Sequence, residues 1–88
     1  MELEGKTILI SGAGPGLGGA CAAAALRDGA NVIATARNLD RLQGAVAELD
    51  PGGERTLAMA ADIMDSDALA AAVSAGVERF GGLDGVVN

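Results

Sequence analysis

The apolar run KTILI at residues 6–10 leads without a break into SGAGPGLG at residues 11–18, and this junction restricts the fold more than any other stretch of the chain. A continuous apolar run of this length suits a strand buried on both faces of a parallel sheet. The glycines permit a tight reversal, and LGGACAAAALR, from Leu17 to Arg27, is rich in alanine, the strongest helix former. Strand, glycine turn and helix together make the first half of a parallel crossover unit.

The alternation continues to the last residue. Gly29 stands where a left-handed cap would stop the first helix. NVIATAR supplies a β-branched second strand from Asn31 to Ala36, and Asn38 is a good N-cap for a helix with Leu42, Val46 and Leu49 on one face. Pro51-Gly52-Gly53 ends that helix, and TLAMAAD, from Thr56 to Asp62, reads as a third strand. A third helix from about Asp65 or Ser66 carries Leu69, Val73, Val77 and Phe80 as its apolar stripe, Gly81-Gly82 stop it, and LDGVVN, from Leu83 to Asn88, reads as a fourth strand. This order predicts one α/β unit, a doubly wound parallel sheet with right-handed crossovers.

Composition removes several classes of function. A net charge of −6, with no basic stripe and no aromatic platform, excludes nucleic acid as a partner. The single cysteine, Cys21, allows no internal disulfide and fits a reducing compartment. The start, MELEGK, is acidic where a signal peptide is basic, and no apolar stretch has the length of a membrane span, so the chain reads as soluble and cytoplasmic. With Phe80 its only aromatic residue and many alanines, the chain is expected to build a thin core.

In a doubly wound sheet, ligands bind beyond the carboxyl ends of the strands, where SGAGPGLG falls. Gly12 can take the tight turn, Gly16 lets backbone approach a phosphate, and Gly18 lets the helix pack closely, while the helix N-terminus offers free N–H groups to a pyrophosphate. The bland alternative, a flexible turn between strand and helix, loses ground because a second strand ends near Arg37, at the distance where a ribose-reading residue belongs.

The pattern Ser11-Gly12-x-x-x-Gly16-x-Gly18 is similar to the TGxxxGxG motif of the short-chain dehydrogenase/reductase family, with Ser in place of Thr. ADI at 61–63 resembles that family's acidic turn after the third strand, and FGGLDGVVN resembles its run into an NNAG motif. The resemblance covers the whole chain and implies that residues 1–88 are the N-terminal part of one Rossmann-type dinucleotide-binding domain. It implies a cofactor site made by Ser11, Gly12, Gly14, Gly16, Leu17 and Gly18 at the phosphates. Asp62, Ile63 and Asn88 would then lie around the adenosine, with Asp62 accepting a hydrogen bond from the adenine amino group.

Cofactor choice turns on the end of the second strand, where a carboxylate would select NAD and repel the 2′-phosphate of NADP. That place holds Ala36 followed by Arg37, whose guanidinium can clamp a phosphate, so the sequence leans towards NADP over NAD. Pro15 stands where many NADP-preferring relatives carry a basic residue, and a solvated surface arginine remains the plainer reading of Arg37.

The resemblance implies hydride transfer between the nicotinamide and a carbonyl or alcohol, with a Tyr, a Lys, a Ser and often an Asn as the reacting machinery. The chain contains no Tyr and no His, and its only Lys is Lys6, so no residue is assigned as catalytic. Those residues, together with a small-molecule substrate pocket and a homo-oligomer interface, are expected in polypeptide beyond Asn88. Two other readings stay open: a complete nucleotide-binding module without chemistry, and an assembly fragment with no ligand of its own.

Overall fold

The computed structural model describes residues 3–12, 17–62 and 64–87. Strands and helices alternate as expected: β1 (Thr7–Ser11), α1 (Leu17–Arg27), β2 (Asn31–Ala36), α2 (Leu39–Leu49), β3 (Thr56–Ala60), α3 (Ser66–Phe80) and β4 (Gly85–Val87). One parallel sheet results, in the order β3-β2-β1-β4, with Thr7 opposite Asn31, Val32 opposite Thr56 and Ile8 opposite Gly85. The winding reverses beside β1, which makes the carboxyl end of that strand a switch point.

Local chemistry sets most element ends. The Asn38 side chain accepts a hydrogen bond from the Arg41 N–H at 3.1 Å, and the Asp65 side chain accepts one from Ala68 at 3.0 Å, so each fills an orphan donor of its helix. Gly29 and Gly81, both with φ of +91°, take the left-handed conformation that stops α1 and α3. β1 lies one residue later than KTILI, because Lys6 donates its N–H to Leu3 O in a preceding turn while Ser11 still pairs with Thr35. β3 ends at Ala60 because Asp62 turns the chain, its Oδ1 accepting from Met64 N–H at 2.9 Å. β4 starts only at Gly85, since Asp84 is committed to Thr7 through its own N–H and through Oδ2.

The helices divide over the two sheet faces. Ile10, Val32 and Ala34 pack with Ala22, Ala25 and Leu26 of α1 and Leu42 of α2, whereas Leu9 and Ile33 pack against Ala72 of α3 on the other side. The inner contact of α3 differs from the expected stripe: Ala72 and Gly76 are its buried residues, and Val77 is 38% exposed. A Cβ on Gly76 would run into Cδ1 and Cγ1 of Ile33, a side chain with no exposure of its own. Small residues let the helix backbone reach the sheet, and Val73 and Phe80 pack at its flanks. On α2, Leu42 is buried as expected, but Leu49, in the final turn, is 38% exposed.

Long-range hydrogen bonds tie the amino-terminal edge of the sheet together. Arg55 donates through Nη1 to the carbonyls of Leu26 at 3.1 Å and Ala30 at 3.3 Å, where α1 runs out of internal donors. Asp50 Oδ2 accepts from the Arg55 N–H and the Thr56 hydroxyl, both at 3.0 Å, and Arg79 reaches from α3 to Thr56 O at 2.8 Å.

Gly76→Ala is expected to destabilise the fold by about 1–3 kcal/mol through overpacking. Ile33→Ala, which removes both clashing atoms, should cost less in that background than alone; denaturant unfolding of the two single variants and the double variant measures the coupling, and additive costs would mean that α3 simply shifts aside.

Candidate functional site

Parallel register decides which residues meet at the carboxyl edge. Ser11 pairs with Thr35 and Ala36 with Ala60, so Gly12 and Arg37, which directly follow β1 and β2, and Asp62, two residues past β3, emerge at the same edge of the sheet. Gly12 has φ of +74° and donates its N–H to Thr35 O at 2.7 Å. Among the described residues no atom lies within 4 Å of where a Cβ would sit, so the demand for glycine there comes from torsion. Thr35, passed over in the sequence reading, therefore anchors the turn through its carbonyl. Its hydroxyl is buried, with no hydrogen-bond partner among the described residues.

α1 begins at Leu17, with Gly18 in its first turn, and that turn carries no acidic residue, whereas α2 and α3 carry Asp40 and Asp67 in theirs. The positive dipole end of α1 therefore faces no carboxylate from its own first turn. Gly14, Gly16, Ile63 and Asn88, expected at the same edge, lie outside the described residues.

Arg37 and Asp62 form the ion pair of the site. Arg37 Nε lies 3.4 Å from Asp62 Oδ2, with the arginine side chain 78% exposed and the aspartate 42%. Asp62 is held by its own loop, because Oδ1 accepts from Met64 N–H at 2.9 Å and the main-chain carbonyl accepts from Asp65 N–H at 2.8 Å. The carboxylate is therefore the fixed partner, and the arginine is laid side-on against it through Nε. A pair this exposed contributes about 0–1 kcal/mol, so it yields readily to a better anion. Sequence reading gave the two residues separate tasks and missed that they meet. The available signal was that both stand within two residues of the carboxyl ends of neighbouring strands.

Other features offer less. A groove between α1 and α2, lined by Ala23, Leu26, Arg27, Glu48, Leu49 and Arg55, lies at the opposite edge, where Arg55 is already engaged by main-chain carbonyls. Among the described residues no group of His, Cys, Asp or Glu side chains could hold a metal ion, and no helix is long and apolar enough to cross a membrane.

Comparison with known proteins agrees with this fold. The short chain dehydrogenase family model matches residues 6–88. Hydroxysteroid dehydrogenase-like protein 2 of Danio rerio is 40% identical over 94 residues, covering 99% of this chain and 23% of that protein. A short-chain dehydrogenase/reductase of Brucella melitensis, described as glucose/ribitol dehydrogenase, superposes with a TM-score of 0.91 at 32% identity, over 98% of this chain and 36% of that one. A metagenomic short-chain oxidoreductase solved in complex with NADP gives a TM-score of 0.84 at 30% identity, over 98% of this chain and 39% of that one. The chain thus spans between about a quarter and two fifths of the length of these relatives.

Gly12→Ala should lower stability by about 1–2 kcal/mol through the left-handed backbone alone, while Gly12→Asn, which tolerates that region, should lose clearly less. Urea midpoints of the two variants separate torsional strain from crowding, since crowding would penalise the larger Asn more.

Proposed function

The chain belongs to the short chain dehydrogenase family, and from that premise we propose that it forms the cofactor-binding part of an oxidoreductase that moves hydride between NADP(H) and a carbonyl or alcohol. The observation that carries the cofactor assignment is Arg37: a guanidinium just past β2, at the carboxyl edge, with one edge on Asp62 and the rest of its 78%-exposed side chain free to meet a phosphate.

The residues present fit a dinucleotide. Gly12 turns the chain at the end of β1, and the first turn of α1 has no carboxylate to repel a pyrophosphate. In this proposal Ser11, Gly12, Gly14, Gly16, Leu17 and Gly18 form the phosphate loop, Arg37 takes the 2′-phosphate with charge-assisted hydrogen bonds, and Asp62, Ile63 and Asn88 surround the adenosine. Once bound, the nicotinamide supplies the hydride donor or acceptor. The 88 residues bind and orient. Lys6, the only lysine, precedes β1 at the amino-terminal edge and is remote from this site.

The same proposal places the substrate pocket, the proton-transferring residues and any homo-oligomer interface in the remainder of a longer protein, working in a reducing cytoplasmic setting. The short share of its relatives that the chain spans supports that division.

Arg37→Asp should weaken NADPH binding about tenfold or more while changing NADH binding little, because a charged hydrogen-bond partner is lost and a like charge takes its place. Titration of both reduced cofactors by nicotinamide fluorescence measures this, and equal loss for the two would overturn the 2′-phosphate assignment.

A further inference from the structure

Arg37 does not stand alone at the place where it is expected to read a 2′-phosphate. Its Nε lies 3.4 Å from Asp62 Oδ2, and this is the one ion pair among the described residues. A ligand phosphate on the same guanidinium would therefore have a fixed carboxylate about one guanidinium width away, well inside the Debye length of about 8 Å at physiological salt.

From this geometry we infer that discrimination between the two dinucleotides is set by the summed charge of the Arg37–Asp62 pair, with Asp62 acting as a built-in opponent of the 2′-phosphate that Arg37 masks. The inference rests on the dinucleotide reading above and deepens it. With both residues present the pair is neutral and the preference for NADPH is held down. Removal of the carboxylate leaves a net positive charge beside the 2′ position and sharpens the preference. Removal of the arginine exposes a lone carboxylate, which repels a phosphate and can accept a hydrogen bond from a free 2′-hydroxyl. Asp62 cannot retreat from this role, because Oδ1 is held by Met64 N–H and its main-chain carbonyl by Asp65 N–H.

Asp62→Asn is the clean variant, since an amide oxygen can still accept from Met64 and only the charge is lost. The experiment is the ratio of NADH to NADPH dissociation constants in the intact protein, in Asp62→Asn, in Arg37→Ala and in the double variant, at low and at physiological salt. Any contact of residue 62 with adenine is common to both dinucleotides and cancels in the ratio. The expected order is Asp62→Asn highest, about three- to tenfold above the parental protein, the double variant close to the parental protein, and Arg37→Ala lowest with NADH preferred. Added salt should draw the four ratios together. An unchanged or lower ratio in Asp62→Asn would overturn the inference and make Asp62 a bystander or a positioner of Arg37, while leaving the dinucleotide reading in place. Binding of neither dinucleotide by the parental protein would overturn both.

Discussion

Every helix of this chain packs against β2, and the rest of the structure depends on the burial of that strand. Val32, Ile33, Ala34 and Thr35 have no exposure, which is possible only because α1 and α2 cover one face and α3 the other. A strand enclosed on both faces leaves no solvent to satisfy its main chain, so its N–H and C=O groups must pair with β1 and β3. The pairing is parallel because a helix crosses over between the strands, and its register brings Gly12, Arg37 and Asp62 to one edge. Site geometry is in this sense a by-product of the pairing that burial demands.

The core that encloses β2 compensates for small side chains with close approach. Alanines at 22, 25, 30, 34 and 72 and the glycine at 76 let helix backbones lie near the sheet, where larger residues would hold them off. Dispersion contacts then come from main-chain atoms as much as from side-chain branches. Such packing is economical in volume and intolerant of added atoms.

Much of this was legible in the sequence because it rests on local chemistry. The cap at Asn38, the left-handed Gly29, the start of α3 near Asp65 and its stop at Gly81 follow from residue types next to helix ends, and the alternation of elements from the spacing of apolar runs. The inner face of α3 was not legible, since hydropathy ranks Leu69 and Val77 above Ala72 and Gly76, whereas the sheet selects residues by how closely they let the backbone approach. The clasp made by Asp50, Arg55 and Arg79 joins residues up to 29 positions apart, and no local rule predicts such partners. At the candidate site, the places of Gly12 and Arg37 just past β1 and β2 were legible from spacing, but the contact of Arg37 with Asp62 needed the register of β2 on β3.

The two ends of the sheet carry different kinds of charge. At the amino-terminal edge Arg55, Arg79, Asp50 and Asp84 are hydrogen-bonded to main chain and hold elements together, while at the carboxyl edge the Arg37 side chain is exposed and, among the described residues, its one ionic partner is Asp62. Mutation therefore explores the two ends under different penalties. Charge changes at Arg37 break none of the hydrogen bonds that hold the sheet edges, so substitution there is expected to alter surface charge at little cost in stability. At Arg55 or Asp50 the same change would remove bonds that join separate elements.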